Sequence, residues 1–213
     1  GATQLQTAVA MPLGQVSSGT VTSGLVNANR FAGGSLTRRD GRLMPLPLGK
    51  ERRKVRFSDG HTREVTPFPW GDLVTAAHTT GIDTITSYVA LPRLPAMGLL
   101  ARPALRLLGT GPVQRLTDRA ATMMFTGPDE ATQRDGRAYL WARAEGPEGA
   151  TEAWLETGEV YRFTALAGVQ IVERVLAAGK RGEALAGALT PAGALGADFV
   201  LGVEGVRRFD TLP

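Results

Sequence analysis

The sequence predicts an α+β protein in which a largely antiparallel or mixed open sheet carries helices packed on one face. Strand-like and helix-like segments come in blocks rather than in strict alternation, which argues against a doubly wound parallel sheet. Two Asp-Gly dipeptides, at Asp40 and Asp59, lie between short apolar runs and indicate tight hairpins. A chain of 213 residues can bury a sizeable core, so we expect a single domain over 1–213.

Composition is that of a globular protein and excludes several kinds of site. The chain is 43% apolar and has no cysteine, which excludes disulfides, thiolate metal ligands and a cysteine nucleophile. Its two histidines are too few to predict a metal site. The net charge of +4 is dispersed, so we expect no nucleic-acid partner. No run reaches ~18 uncharged apolar residues and no basic region opens the chain, which predicts a cytoplasmic protein without a transmembrane segment.

The first two elements are predicted to be a strand and a helix. Apolar and polar residues alternate over Thr3–Met11, as in a half-buried strand, and Pro12 follows this run. Ser17 or Ser18 then lies where a helix N-cap is expected. The helix would carry an apolar stripe formed by Val21, Leu25, Ala28 and Phe31. Beyond it, we expect Leu43–Leu48 and Lys54–Phe57 to pair as short strands with Thr62–Thr66.

The stretch Pro67–Pro92 holds the densest mixture of aromatic, hydroxyl, carboxylate and imidazole side chains in the sequence. It predicts a turn followed by a short helix over Leu73–Ala77. Gly81 lies where a C-terminal glycine closes a helix. The β-branched residues of Ile82–Leu91 alternate between two faces, which predicts a strand.

Helices and one long hairpin dominate the second half of the chain. Two helices are predicted over Leu94–Leu108 and Pro112–Phe125, and a hairpin over Gly136–Glu156. Val160–Ala178 gives the clearest helix signal, with Gly179 as its stop. The apolar series of this helix consists of Tyr161, Ala165, Val169, Val172 and Leu176. An apolar stretch over Ala197–Leu201 and an edge strand over Gly205–Phe209 complete the chain.

No motif of a self-contained enzyme class occurs. The string Gly109-Thr110-Gly111 follows a predicted helix and lacks the third glycine of the dinucleotide fingerprint. The chain also has no Walker lysine motif, no G-x-S-x-G elbow and no H-E-x-x-H. We therefore expect this chain by itself to bind no cofactor and no metal, and no motif identifies a catalytic residue.

Six strings nevertheless occur in the order found in a known family. They are SSGTVTS (Ser17–Ser23), RRDGRL (Arg38–Leu43), PFPWGDLVTAAHTTGI (Pro67–Ile82), GPDEATQR (Gly127–Arg134), TGEVYRFTA (Thr157–Ala165) and GALTPAGALG (Gly187–Gly196). Together they resemble the C-terminal part of saccharopine dehydrogenase-like proteins, in particular the branch called trans-acting enoyl reductases. The resemblance covers most of the chain.

This resemblance implies a fold and a function. In the family, an N-terminal Rossmann domain binds NAD(P), and an α+β domain supplies substrate contacts and much of the dimer interface. The chain then looks like the substrate-binding and dimerisation domain of an NAD(P)-dependent oxidoreductase, working as a homodimer on a small-molecule or acyl substrate. Because the Rossmann half is missing from this sequence, we expect the chain alone to be inactive. The alternative is a non-catalytic binding or assembly module of the same fold, with an apolar molecule as one possible ligand.

Nine residues are candidates for substrate contact. They are Ser17, Ser18, Gly19, Thr20, Trp70, Asp72, His78, Thr79 and Tyr161. The hydroxyl and N–H groups of Ser17–Thr20 can hold an anion at a helix N-terminus, or they can simply cap that helix. Trp70 and Asp72 can line a cleft, although Trp70 also suits a core position and Asp72 suits the N-cap of the helix that follows.

The remaining candidates also have structural alternatives. His78 and Thr79 can form a polar wall of the substrate cleft, or His78 can bond the last carbonyls of its helix. Tyr161 can donate a proton to a reduced substrate, or pack in the core. His61 is expected to lie on the surface of a hairpin turn. Three methionines can fill core or a dimer surface, or line an acyl channel: Met97, Met123 and Met124.

Overall fold

The computed structural model describes residues 1–11, 16–27, 34–47, 49–90, 127–183 and 185–213. These residues form nine strands, five α-helices and one 3₁₀ helix over Ala197–Gly202. The strands are β1 (Gln4–Ala10), β2 (Ser35–Arg39), β3 (Arg42–Leu46), β4 (Arg53–Arg56), β5 (Thr62–Pro67), β6 (Thr84–Val89), β7 (Ala138–Gly146), β8 (Gly149–Thr157) and β9 (Arg207–Phe209). The helices are α1 (Ser18–Val26), α2 (Asp72–Thr80), α3 (Glu130–Asp135), α4 (Val160–Lys180) and α5 (Pro191–Leu195).

All nine strands belong to one open, mixed sheet, so the predicted α+β class is confirmed. The main path runs β3-β2-β6-β1-β7-β8-β9, and β5 joins it beside β6 with β4 on its outer side. β1 pairs in parallel with β6 and antiparallel with β7, which places the first strand of the chain in the middle of the sheet. The other strand pairs of the described residues are antiparallel.

Both Asp-Gly turns are confirmed, but one predicted pairing is wrong. Asp40 and Gly41 have φ of 47° and 77°, the geometry of a two-residue turn that matches the strand twist. This turn folds β3 back onto β2, with Arg39 opposite Arg42. The tight local turn thus determines the partner of β3. Of the two strands expected to pair with Thr62–Thr66, β4 does so as part of the β4–β5 hairpin, whereas the expected pairing of Leu43–Leu48 does not form.

Two apolar clusters lie on opposite faces of the sheet, because successive side chains of a strand point to opposite sides. The larger cluster lies between the sheet and the β4–β5 hairpin and contains Ala8, Ala10, Val55, Phe57, Val65, Tyr88, Trp141 and Trp154. The Trp154 indole also donates to the Arg56 carbonyl at 2.8 Å, which ties the hairpin to the sheet. On the other face, α2 packs Leu73 against Ile82 and Ile85, with Leu5 beside them.

The two helices that flank the candidate residues form as predicted, with one difference. Gly81, at φ 72°, ends α2, and its N–H bonds the Ala77 carbonyl at 2.9 Å. Helix α4 continues past Gly179, which was the predicted stop, to Lys180. The chain reverses only at Gly182, whose φ of 76° suits the end of a helix.

The remaining predictions concern the middle of the chain, its C-terminal strand and a membrane span. The predicted helices over Leu94–Leu108 and Pro112–Phe125 lie outside the described residues, as do Ala28, Phe31 and the three methionines Met97, Met123 and Met124. The edge strand near the C-terminus is confirmed over Arg207–Phe209, since among the described strands β9 pairs with β8 alone. Within the described part of the chain, no helix combines the length and hydropathy that a membrane span requires.

Candidate functional site

Candidate residues from two distant segments meet where α1 and α4 begin. The Tyr161 hydroxyl accepts a hydrogen bond from the Ser17 backbone N–H at 2.9 Å, across a separation of 144 residues. It donates to Ser17 Oγ at 3.0 Å and lies 2.9 Å from Thr20 Oγ1, where either hydroxyl can be the donor. Ser17 also caps α1, because its Oγ accepts from the Thr20 N–H at 3.3 Å. We call Ser17, Thr20 and Tyr161 the hydroxyl cluster.

The buried side chain of Glu159 holds Tyr161 in place. Its carboxylate accepts from the N–H groups of Tyr161 at 3.1 Å and Arg162 at 2.9 Å, which caps α4. Gly136 makes room for it, since a Cβ there would lie 3.1 Å from Glu159 Cγ and 2.5 Å from the Thr132 carbonyl oxygen. Sequence reasoning missed Glu159 because glutamate is not among the favoured N-cap residues.

The hydroxyl cluster makes Tyr161 the most acidic of the three tyrosines. Partial burial raises the pKa of its phenol, but the hydrogen bonds from Ser17 and Thr20 outweigh burial and bring the pKa below its usual value. Burial raises the pKa of the other two phenols, Tyr88 and Tyr139. A phenol with a lowered pKa and two adjacent hydroxyl groups is suited to proton transfer.

The expected core position of Tyr161 is wrong, because the residue is 37% exposed.

Asp72 does not cap α2, contrary to the structural alternative. Gly71 occupies the N-cap position and the helix begins at Asp72 itself, so the carboxylate lies one position too late to cap. Asp72 Oδ2 instead accepts a hydrogen bond from Thr7 Oγ1 at 3.3 Å, and Ser87 Oγ lies 3.1 Å from the same hydroxyl. This polar contact links α2 to the two central strands. Sequence reasoning had not selected Thr7.

Asp72 borders a cavity of about 240 Å³ on the sheet face opposite the larger cluster. We call this the sheet cavity. Its wall is almost entirely apolar, and among its described lining residues only Asp72 and Arg208 are charged. Trp70 lies two residues before Asp72 and packs against Phe68, with ring centroids 4.6 Å apart. The Trp70 indole N–H is buried and has no hydrogen-bond partner among the residues that the structure describes.

Of the other candidates, His78 and Thr79 lie apart from both the hydroxyl cluster and the sheet cavity. His78 is exposed in the last turn of α2, and within the described residues its ring makes no hydrogen bond or ion pair. The Thr79 hydroxyl lies 2.7 Å from that of Thr190, which caps α5, so this contact joins two helices. Ser18 and Gly19 lie in the first turn of α1 beside the hydroxyl cluster. His61 lies on the surface as predicted, with 76% of its side chain exposed.

The site holds no recognisable metal centre, and comparison with known proteins gives no family. Across the residues that the structure describes, no three His, Asp or Glu side chains are grouped to hold a metal ion. No protein-family model matches the chain, and its sequence matches no curated protein. The resemblance to saccharopine dehydrogenase-like proteins therefore stays a prediction that depends on the six sequence strings.

Proposed function

We propose that the chain is the substrate-binding and dimerisation domain of a saccharopine dehydrogenase-like, NAD(P)-dependent oxidoreductase, and that Tyr161 exchanges a proton with the substrate. The hydroxyl cluster carries this proposal. Ser17 and Thr20 come from one string of the resemblance and Tyr161 from another, and the Ser17 N–H, Ser17 Oγ and Thr20 Oγ1 lie 2.9, 3.0 and 2.9 Å from the single phenol oxygen. A purely structural capping serine does not need a phenol from another helix.

Within the residues that the structure describes, the candidate anion site at the start of α1 does not fit the nicotinamide nucleotide. Ser17–Thr20 supply hydroxyl and N–H groups of the kind that bind a phosphate at a helix N-terminus. Two of these N–H groups are already used, because that of Ser17 donates to the Tyr161 hydroxyl and that of Thr20 donates to Ser17 Oγ. Nucleotide binding therefore belongs, in this proposal, to a Rossmann domain on the same polypeptide. The cofactor would supply the hydride, and this domain would supply orientation and the proton.

The proton step follows from the hydrogen bonds of Tyr161. In the structure the phenol proton is donated to Ser17 Oγ at 3.0 Å. A basic substrate atom that takes the place of this acceptor receives the proton and forms its new bond to hydrogen, while the O–H bond of Tyr161 breaks. The phenolate that remains is stabilised by the Ser17 N–H and the Thr20 hydroxyl.

The exposed face of α4 supports the dimerisation part of the proposal. Val169, Val172 and Leu176 are 60%, 56% and 62% exposed, so this part of the predicted apolar series faces outward. Their spacing of three and four residues places them on one stripe of the helix. Charge is sparse along all 21 residues of α4 and is confined to Arg162, Glu173, Arg174 and Lys180. A stripe of this kind suits burial against a second copy of the chain.

A nucleotide titration tests the domain assignment. NADPH and NADH are titrated by calorimetry into this chain and into the full-length gene product. We expect binding by the longer protein only. Micromolar, stoichiometric binding by this chain alone would overturn the assignment.

A substitution tests the role of Tyr161. In the full-length protein, Tyr161→Phe should lower kcat by about 10²–10⁴-fold, since the variant keeps the ring but has no proton to give. Thr164→Val, one turn further along α4, is the matched loss of a hydroxyl and should leave kcat unchanged. An unchanged kcat for Tyr161→Phe would remove the residue from the mechanism.

A further inference from the structure

A row of small side chains crosses the sheet on the face that carries the sheet cavity. Thr7 on β1 lies opposite Ala142 on β7, which in turn lies opposite Ala153 on β8. The neighbouring row on the same face is bulkier and consists of Val9, Leu140, Leu155 and Arg208. The cavity of about 240 Å³ is therefore a trough above the alanines with a hydrocarbon wall.

The charges beside this trough are unequal. Arg208 already pairs with Asp198 at 3.1 Å and Asp210 at 3.4 Å. Asp72 accepts one hydrogen bond from Thr7 and, within the described ranges of the chain, has no basic partner. Arg208 is thus paired with two carboxylates that do not line the cavity, whereas Asp72, the carboxylate that lines it, has no ion pair among the described residues. An uncharged or anionic ligand would leave that imbalance uncorrected.

We propose that the sheet cavity binds a small organic amine whose apolar body lies over Ala142 and Ala153 and whose ammonium group pairs with Asp72. A cavity of roughly 150 Å³ accommodates benzene, so the larger trough has room for a ring with a short arm or an alkyl chain of similar size. Thr7 holds Asp72 from a central strand, which keeps the carboxylate in place before the ligand arrives.

This inference goes beyond the proposed function and does not need it. The trough and Asp72 belong to β1, β7, β8 and α2, whereas the hydroxyl cluster belongs to the starts of α1 and α4. An amine site would exist in a non-catalytic binding module as well as in a reductase domain. Its tests are therefore made on this chain without nucleotide.

Three ligands of nearly equal shape provide the test. Phenethylamine, phenethyl alcohol and hydrocinnamate are titrated separately into the chain at neutral pH and followed by calorimetry. We expect the amine to bind about tenfold or more tightly than the alcohol, as a charge-assisted hydrogen bond to Asp72 implies, and the carboxylate to bind least. Equal binding of all three, preference for hydrocinnamate, or no binding of the amine at millimolar concentration would each overturn the proposal.

Matched variants locate the binding. Asp72→Asn should remove the preference for the amine and leave the affinity for the alcohol unchanged. Ala153→Leu should abolish binding of both by filling the trough, while Ala150→Leu, exposed on the same strand and pointing to the other side, should change neither. Should Ala153→Leu fail to fold by circular dichroism, Ala142→Val replaces it. If a folded Ala153→Leu or Ala142→Val variant binds the amine normally, the amine does not bind in the sheet cavity. If Tyr161→Phe loses amine binding, the amine site is not independent of the hydroxyl cluster.

Discussion

The hydrogen bonds of Tyr161 give its phenol a lowered pKa, which the other two tyrosines do not have. Its phenol contacts Ser17 and Thr20, whereas Tyr88 is buried within the larger cluster and Tyr139 is partly buried against it. The directions of their pKa shifts are therefore opposite, with Tyr161 lowered and the other two raised. This difference can be measured without knowing any substrate.

An alkaline titration of tyrosine absorbance should show Tyr161 ionising first. Tyr161→Phe should remove the step at lowest pH, and Ser17→Ala or Thr20→Val should move that step to higher pH because fewer hydrogen bonds then stabilise the phenolate. The folded-state pKa is lowered, so the phenolate adds stability above the unfolded pKa of about 10, and this is lost as the pH falls through the folded value. The unfolding free-energy difference between wild type and Tyr161→Phe should therefore grow toward high pH. A lowest step that survives in Tyr161→Phe would refute the assignment.

Glu159 gives a second prediction at this scale. Glu159→Ala leaves two N–H groups at the start of α4 without their acceptor, so it should lower the free energy of unfolding by about 1–2 kcal/mol. Glu159→Gln keeps an oxygen acceptor and should cost less. Denaturant unfolding measures both variants, and equal midpoints for Glu159→Ala and wild type would show that the cap contributes nothing.

These residues also show what sequence could supply. The strings around Ser17 and Tyr161 selected both residues, but nothing in the sequence could bring them together, because their contact spans 144 positions. For Asp72, the preference of aspartate for N-caps suggested the wrong role, since one residue of difference in the helix start redirects the carboxylate to Thr7. The local preferences of amino acids thus indicate which residues carry polar groups of interest, but not which residues they contact in the fold.

At the scale of elements, the β2–β3 hairpin depends on two glycines that do different things. Gly41 supplies a positive φ in the turn, while Gly34 has φ 121° and leaves no room for a side chain. A Cβ at Gly34 would lie 2.2 Å from the Leu46 carbonyl oxygen, which is backbone and cannot rotate away. Close approach of the chain, rather than the turn, thus explains Gly34.

A pair of glycine substitutions separates these effects. Gly34→Ala should destabilise by more than about 2 kcal/mol, because the backbone of β3 must shift. Gly60→Ala has the same kind of positive φ, 77°, with open space around it, and should cost only about 1 kcal/mol. Chemical denaturation of the two variants gives the comparison. Equal losses would mean that strain in φ alone accounts for both positions.

Helix α2 provides the matching test for packing. Leu73 is 2% exposed and contacts the cluster with Ile82 and Ile85, so Leu73→Ala should cost about 2–5 kcal/mol. The adjacent Val74 is 55% exposed, and Val74→Ala should stay within about 0.5 kcal/mol of wild type. Thermal unfolding of the pair checks the orientation of the helix, and a reversed order would show that α2 is turned about its axis.

The periodicity of α4 shows the limit of sequence patterns for whole elements. The i, i+4 series correctly predicted a helix and a continuous apolar stripe over Val169, Val172 and Leu176. It did not indicate whether this stripe is buried within the chain, and the structure leaves the three side chains more than half exposed. Periodicity shows that one face of a helix is apolar, but it does not identify the surface that covers this face.

At the scale of the whole molecule, the sheet order makes the two ends of the chain unequal. β1 pairs on both sides, with β6 and β7, whereas β9 pairs only with β8. Deleting residues 1–10 should therefore abolish cooperative unfolding, because it separates the two halves of the sheet. Deleting residues 207–213 should lower the midpoint and retain a cooperative transition. Circular dichroism during denaturation measures both, and a cooperative transition without β1 would contradict the central role of that strand.

The oligomeric state gives a further prediction at this scale. If α4 packs against a second copy, sedimentation velocity should show a dimer that Val172→Lys combined with Leu176→Lys converts to a monomer. Ala150→Lys combined with Thr151→Lys, at exposed positions on β8, introduces the same charge away from the stripe and should leave the dimer intact. A monomer in the wild-type chain at tens of micromolar would argue against dimerisation through α4.

The central position of β1 has a consequence during synthesis on the ribosome. Within this sequence β1 is made well before both of its partners, Thr84–Val89 and Ala138–Gly146. At about 5–20 residues per second, roughly 7–27 s pass between the completion of β1 and that of β7. Both edges of β1 present unpaired N–H and C=O groups until β6 is made, and the edge that pairs with β7 stays unpaired until that strand is complete. Unpaired strand edges are where strands join the wrong partners. Nascent chains of this protein should thus depend on chaperones most strongly before residue 146 is translated.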